Sequence, residues 1–127
     1  MRSHASLNKP ERARFYLAWA IVLLGVIHAL ATPYFFSGFT EASLWFASGG
    51  GAFILVGAFN LLAVSHGIPA LVQISRVANV ATTAFIIALI LAPPTGPPEF
   101  IAALLIIPAT VLSFTSPRSR AVGRVAA

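Results

Sequence analysis

The sequence predicts an all-α integral membrane protein, built as a bundle of four transmembrane helices. Of its 127 residues, 58% are hydrophobic and 9% are charged, whereas an ordinary soluble domain carries about 25% charged residues. Too few charges are present to cover a surface that faces water. The apolar residues also form continuous runs rather than an alternating pattern, which favours helices over the strands of a membrane barrel.

Four apolar segments define the predicted helices, at about residues 15–31, 44–64, 70–92 and 100–115. Each is close to the ~17–25 residues with which a helix crosses ~30 Å of hydrocarbon. The breaks between them have turn chemistry, in the segments TPYFFSGFTE, SHGIP and PPTGPPE. We therefore expect one transmembrane domain over residues 15–115, with a basic tail at 1–14 and another at 116–127.

The basic residues predict the orientation and the location of this bundle. Seven of the eight Lys and Arg residues lie in the two tails, and the eighth, Arg76, follows the second break. The positive-inside rule then places both termini and the second loop in the cytoplasm, with N- and C-termini on the same side. We expect a multi-pass protein of the cell (inner) membrane whose tails meet anionic lipid headgroups. Nucleic acid is not expected as a partner, because the charges form no stripe on a folded face.

Small residues in the second helix predict how it packs. At about 100° per residue, Gly50 and Gly57 fall roughly 20° apart, with Gly49 in the neighbouring arc. In lipid, helices associate where small residues let their backbones approach closely. The Gly49/Gly50/Gly57 face is expected to receive another helix, either from this chain or from a homo-oligomer or membrane-protein partner.

Polar residues inside the spans are the first candidates for a binding site, because they are costly in lipid. Gln73, Arg76 and Asn79 share one arc of the third helix with Thr83, and Asn60 lies at the cytoplasmic end of the second. We predict that Asn60, Gln73, Arg76 and Asn79 bind a ligand. For Arg76 two alternatives stay open, namely a side chain that snorkels to the headgroups and one that binds an anionic headgroup.

A second candidate site lies at the outer side of the predicted bundle. His28 is near the end of the first helix, and the acidic residues on that side are Glu41 and Glu99. A histidine with two carboxylates suits proton transfer or a divalent metal, and we predict these three as catalytic residues without assigning a metal. The structural alternative places each glutamate in the first turn of a helix, where its charge complements the helix dipole.

The second helix, LWFASGGGAFILVGAFNLLAV, resembles the second helix of DoxX-like four-helix bacterial membrane proteins. Its paired glycines, the further Gly several residues on and the four-span order carry this likeness, which covers residues 15–115. The basic residue expected early in the first DoxX-like helix has no counterpart within the predicted span, since Arg12 and Arg14 precede it. The resemblance implies an inner-membrane accessory or quinone-linked role and assigns no catalytic residue.

Three functions are compatible with these patterns. The sequence contains no nucleotide-binding, zinc-protease or nucleophile-elbow motif, and it identifies no cofactor. The leading hypothesis is a small membrane module that binds a lipid-like ligand or partner helices. The alternatives are a membrane-embedded enzyme acting on an apolar substrate (an isomerase or quinone-linked oxidoreductase) through His28 with Glu41 or Glu99, and a small transporter.

Overall fold

A computed structural model describes residues 7–92 and 96–115, and this part of the chain is helical with short connections. The helices are α1 (Lys9–Phe35), α2 (Glu41–His66), α3 (Pro69–Leu91) and α4 (Pro97–Thr115). All four are long and apolar enough to cross a membrane, which confirms the predicted all-α bundle. Residues 1–6 and 116–127 of the predicted tails, and 93–95 of the third loop, lie outside the described residues.

Capping side chains, rather than hydropathy, decide where the first two helices begin. The Asn8 side chain accepts a hydrogen bond from the Glu11 N–H (3.0 Å), and the Glu11 carboxylate accepts one from the Asn8 N–H (3.1 Å). This capping box starts α1 at Lys9. Residues 9–14, which the sequence places in the basic tail, therefore belong to the first helix.

The same chemistry starts α2 at Glu41 instead of residue 44. Thr40 and Ser43 form a reciprocal capping box, with hydrogen bonds of 2.9 and 3.1 Å. Glu41 thus lies in the first turn of α2, and Glu99 lies in the first turn of α4. Both positions agree with the structural alternative stated for these glutamates, because a negative charge is favourable at a helix N-terminus.

The connection from α2 to α3 is only two residues long. Gly67 ends α2 with a φ of 68°, in the left-handed region that glycine adopts without steric cost, and its N–H donates to the Ala63 carbonyl (3.0 Å). Pro69 then begins α3, since a proline at the first helical position loses no intrahelical hydrogen bond. The tight turn makes α2 and α3 antiparallel neighbours.

Each helix packs against two others, in the cyclic order α1, α2, α3, α4. The helices alternate in direction, so α1 and α3 begin at the end of the bundle where α2 and α4 finish. We call this the basic end, because Lys9, Arg12 and Arg14 lie in the first turns of α1. The opposite end, where Glu41 and Glu99 lie, is called the acidic end. Large apolar side chains on all four helices face outward, as expected in a lipid bilayer.

Glycines bring the backbones of α1 and α2 into close contact. A Cβ atom added to Gly25 would lie 2.6 Å from the Gly50 carbonyl oxygen, and one added to Gly57 would lie 2.8 Å from that of Ala18. One added to Gly49 would lie 3.3 Å from His28 Nε2. The glycine face of α2 is therefore filled by α1 of the same chain. Of the two alternatives stated for the Gly49/Gly50/Gly57 face, the structure shows the one in which another helix of this chain packs against it.

Candidate functional site

A buried arginine lies at the basic end, inside the bundle. Arg14 of α1 is only 3% exposed. Its Nε and Nη2 donate to Asn60 Oδ1 on α2 (3.1 and 3.0 Å), and Nη2 also donates to Ser75 Oγ on α3 (2.6 Å). These partners are neutral, so they hold the guanidinium in place without cancelling its charge.

Two asparagines extend this arrangement from α2 to α3. Asn60 Nδ2 donates to Asn79 Oδ1 (2.6 Å) and to the Val56 carbonyl (2.9 Å), and Asn79 Nδ2 donates back to Asn60 Oδ1 (3.0 Å). Both asparagines are fully buried. We call Arg14, Asn60, Ser75 and Asn79 the arginine network. Both amide hydrogens of Asn60 are used within it, so this side chain has no donor left for a ligand.

Hydroxyl groups connect α3 with α4. Thr83 and Thr110 are hydrogen-bonded through their Oγ1 atoms (2.8 Å), and Thr110 Oγ1 also donates to the Ile106 carbonyl (2.8 Å). Ser113 Oγ donates to the Thr110 carbonyl (2.7 Å). Asn79 and Thr83 both bond to neighbouring helices, so the polar arc predicted on α3 does not form one continuous surface.

Arg76 differs from Arg14 in being half-buried, close to where α4 ends. Its Nε donates to the Ser113 carbonyl (2.9 Å), and its Cζ lies 5.1 Å from the centre of the Phe114 ring, within the ~6 Å range of a cation–π contact. Arg14 and Arg76 repel each other electrostatically, and Glu11 attracts Arg14. Two cations thus lie within interaction range at the basic end.

The four residues predicted to bind a ligand therefore do not lie together in one site. Asn60 and Asn79 are hydrogen-bonded to each other inside the bundle, Arg76 lies at its edge, and Gln73 is exposed on α3. Sequence reasoning missed Arg14, which it assigned to the tail. Its helical spacing was the available signal, because Arg14 lies four, seven and eleven residues before Ala18, Ile21 and Gly25, which are all buried.

At the acidic end, His28 lies half-buried between α1 and α2. Its ring stacks on Phe46, with centroids 3.9 Å apart and an interplanar angle of 17°, and meets Phe53 edge-on at 6.1 Å. The ring rests over Gly49, where a side chain would crowd it. His28 is thus held by aromatic packing.

The two glutamates predicted as partners of His28 have different surroundings. Glu99 lies on α4, which packs against α1, and its Oε2 accepts a hydrogen bond from the Gly96 N–H (2.9 Å). Glu41 is exposed. Within residues 7–92 and 96–115, no three His, Cys, Asp or Glu side chains lie close enough to hold a metal ion. A three-ligand metal centre of His28, Glu41 and Glu99 is therefore absent from this part of the chain.

Comparison with known proteins adds no relative. No protein family, no curated protein and no solved structure matches this chain. The fold and its apolar surface define the chain as a multi-pass membrane protein.

Proposed function

We propose that this chain is a non-enzymatic module of the inner membrane that binds an amphipathic, lipid-like ligand at its basic end. The observation that carries the proposal is Arg14, a buried guanidinium whose hydrogen bonds go to the neutral side chains of Asn60 and Ser75. A charged side chain inside a transmembrane segment costs several kcal/mol and usually serves a function. Arg76 adds a second cation at the same end, where an amphipathic molecule meets the bundle.

The proposal includes the orientation of the chain. The basic end faces the cytoplasm, because positively charged residues accumulate on that side of a membrane. It also includes a place among the DoxX-like proteins. Support comes from the four-helix order, from the glycine face of α2, and from Arg14, which supplies a basic residue within the first helix.

Native mass spectrometry of the full chain, purified from its own membrane, tests the proposal. We expect adducts of defined lipid or quinone mass that persist after the detergent has been stripped off. Bare protein under the mildest conditions would contradict a binding module. The same spectrum reports the number of copies, and hence whether partner chains assemble through a surface other than the filled glycine face.

A membrane-embedded enzyme is the second candidate, and one feature of the acidic end favours it. His28 and Glu99 lie at the same end of two helices, α1 and α4, that pack against each other. Thr32, one helical turn beyond His28, has a buried hydroxyl with no hydrogen-bond partner among the described residues. An imidazole, a carboxylate and an unused hydroxyl are suited to acid–base chemistry on an apolar substrate.

Chromatography and mass spectrometry of lipid extracts, incubated with purified protein, test this second candidate. We expect a product formed by the wild type and lost in both His28→Gln and Glu99→Gln. The matched control is Glu41→Gln, which removes the exposed glutamate of the same end and is expected to retain the product. If none of the four proteins changes the composition of the lipid extract, the enzyme is excluded.

A further inference from the structure

We infer that the group bound at the basic end is the phosphate of an anionic lipid headgroup, contacted by Arg76 and attracted by the charge of Arg14. This inference rests on the proposed function and specifies the ligand of the same site. It follows from three features: the donors that Arg76 leaves unused, the level at which its guanidinium lies, and the charge behind it.

The first feature is the set of donors on Arg76. Its Nε is taken by the Ser113 carbonyl, and the Phe114 ring lies against one face of the guanidinium. The two terminal nitrogens make no hydrogen bond with any residue that the structure describes. A guanidinium fixed in this way presents paired N–H groups, the geometry that matches two oxygens of a phosphate.

The second feature is the level of the guanidinium along the bundle. Arg76 is seven residues into α3, about 10 Å from its start at 1.5 Å per residue. Ser113 and Phe114, which its guanidinium contacts, are within two residues of the described end of α4 at Thr115. The side chain therefore extends toward the end of the bundle, as long basic side chains do when they snorkel. This brings its terminal nitrogens to the level of the lipid headgroups.

The third feature is the charge behind the site. Arg14 is buried and held by neutral groups, and it repels Arg76. Because Arg14 is fixed by Asn60 and Ser75, the chain itself offers it little freedom to move away. An anion on the outer side of Arg76 relieves this repulsion. The headgroup phosphates of the surrounding bilayer supply that anion at high local concentration.

Native mass spectrometry of the full chain, with matched dioleoyl phosphatidylglycerol and phosphatidylcholine added in equal amounts, tests the inference. We expect the wild type to retain phosphatidylglycerol about fivefold more than phosphatidylcholine. Arg76→Gln is expected to abolish this preference. The matched control is Arg12→Gln, which removes an exposed charge from the same end and is expected to retain the preference.

The outcomes separate the inference from the proposed function. Equal retention of the two lipids, or equal loss of preference in Arg76→Gln and Arg12→Gln, would overturn the phosphate site. If a neutral lipid or quinone is still bound in that case, the proposed function stands. Added inorganic phosphate distinguishes the source, because its displacement of phosphatidylglycerol would identify a soluble phosphate as the ligand, whereas undiminished lipid retention supports the headgroup.

Discussion

Asn60 and Asn79 exchange two hydrogen bonds between α2 and α3, and the oxygen of Asn60 also holds the guanidinium of Arg14. One amide oxygen thereby joins three helices. Amide pairs of this kind are favourable inside a membrane because lipid offers no competing donors or acceptors. We therefore expect the Asn60 side chain to contribute more to the stability of the basic end than any exposed charge nearby.

Replacing Asn60 should destabilise the bundle strongly. Asn60→Ala removes the acceptor of Arg14 Nε and leaves that buried donor unsatisfied, for which a loss of about 1.5–3 kcal/mol in the free energy of unfolding is expected. Unfolding by sodium dodecyl sulfate in mixed micelles measures this value. Gln73→Ala, which shortens an exposed amide, serves as the control and should change stability little. Comparable losses in the two variants would mean that the arginine network does not hold the helices together.

Two adjacent glycines of α2 provide a matched test of the α1–α2 contact. In Gly50→Ala, the new Cβ would lie 2.7 Å from the Ala29 nitrogen and the Gly25 carbonyl oxygen, so we expect a loss of about 1–3 kcal/mol from overpacking. In Gly51→Ala the Cβ meets nothing within 4 Å. That variant should be neutral or slightly more stable, because alanine has the higher helix propensity. The same unfolding titration compares the two, and a destabilised Gly51→Ala would contradict the packing.

The unpartnered hydroxyl of Thr32 gives a third prediction. Thr32→Val removes a buried polar atom that lacks a hydrogen bond among the described residues, so stability should stay the same or rise. Thr83→Val removes the hydroxyl that bonds to Thr110 and should cost about 1 kcal/mol. Thermal unfolding in detergent ranks the two variants. The reverse order would show that the Thr32 hydroxyl has a partner.

Hydropathy was sufficient to predict the number and order of the helices, because each helix has to cover its backbone in apolar side chains. It did not predict where the first two helices begin. The starts of α1 and α2 depend on reciprocal hydrogen bonds from Asn8 and Thr40, which contribute nothing to an apolar window. Glycine spacing correctly indicated the packing face of α2, but it could not tell that α1 of the same chain would fill it.

The candidate site was harder to predict, for a physical reason. A hydropathy scale treats Arg14 as a charge that belongs in water, so the sequence places it in the tail. Its burial depends on Asn60 and Ser75, which are 46 and 61 residues further along the chain. Likewise, the stacking of His28 on Phe46 depends on how α2 packs against α1. Spacing along one helix contains no information about such distances.

The reach of Arg14 across the bundle has a consequence for the biogenesis of this protein. Its two side-chain partners lie on later helices, so the first helix enters the membrane with an arginine that nothing yet satisfies. At about 5–20 residues synthesised per second, the 61 residues between Arg14 and Ser75 take roughly 3–12 seconds to make. During that interval the Arg14 guanidinium has to be solvated by the insertion machinery or by water among the lipid headgroups. Both side-chain partners of Arg14 have been synthesised once the chain reaches Ser75 in α3.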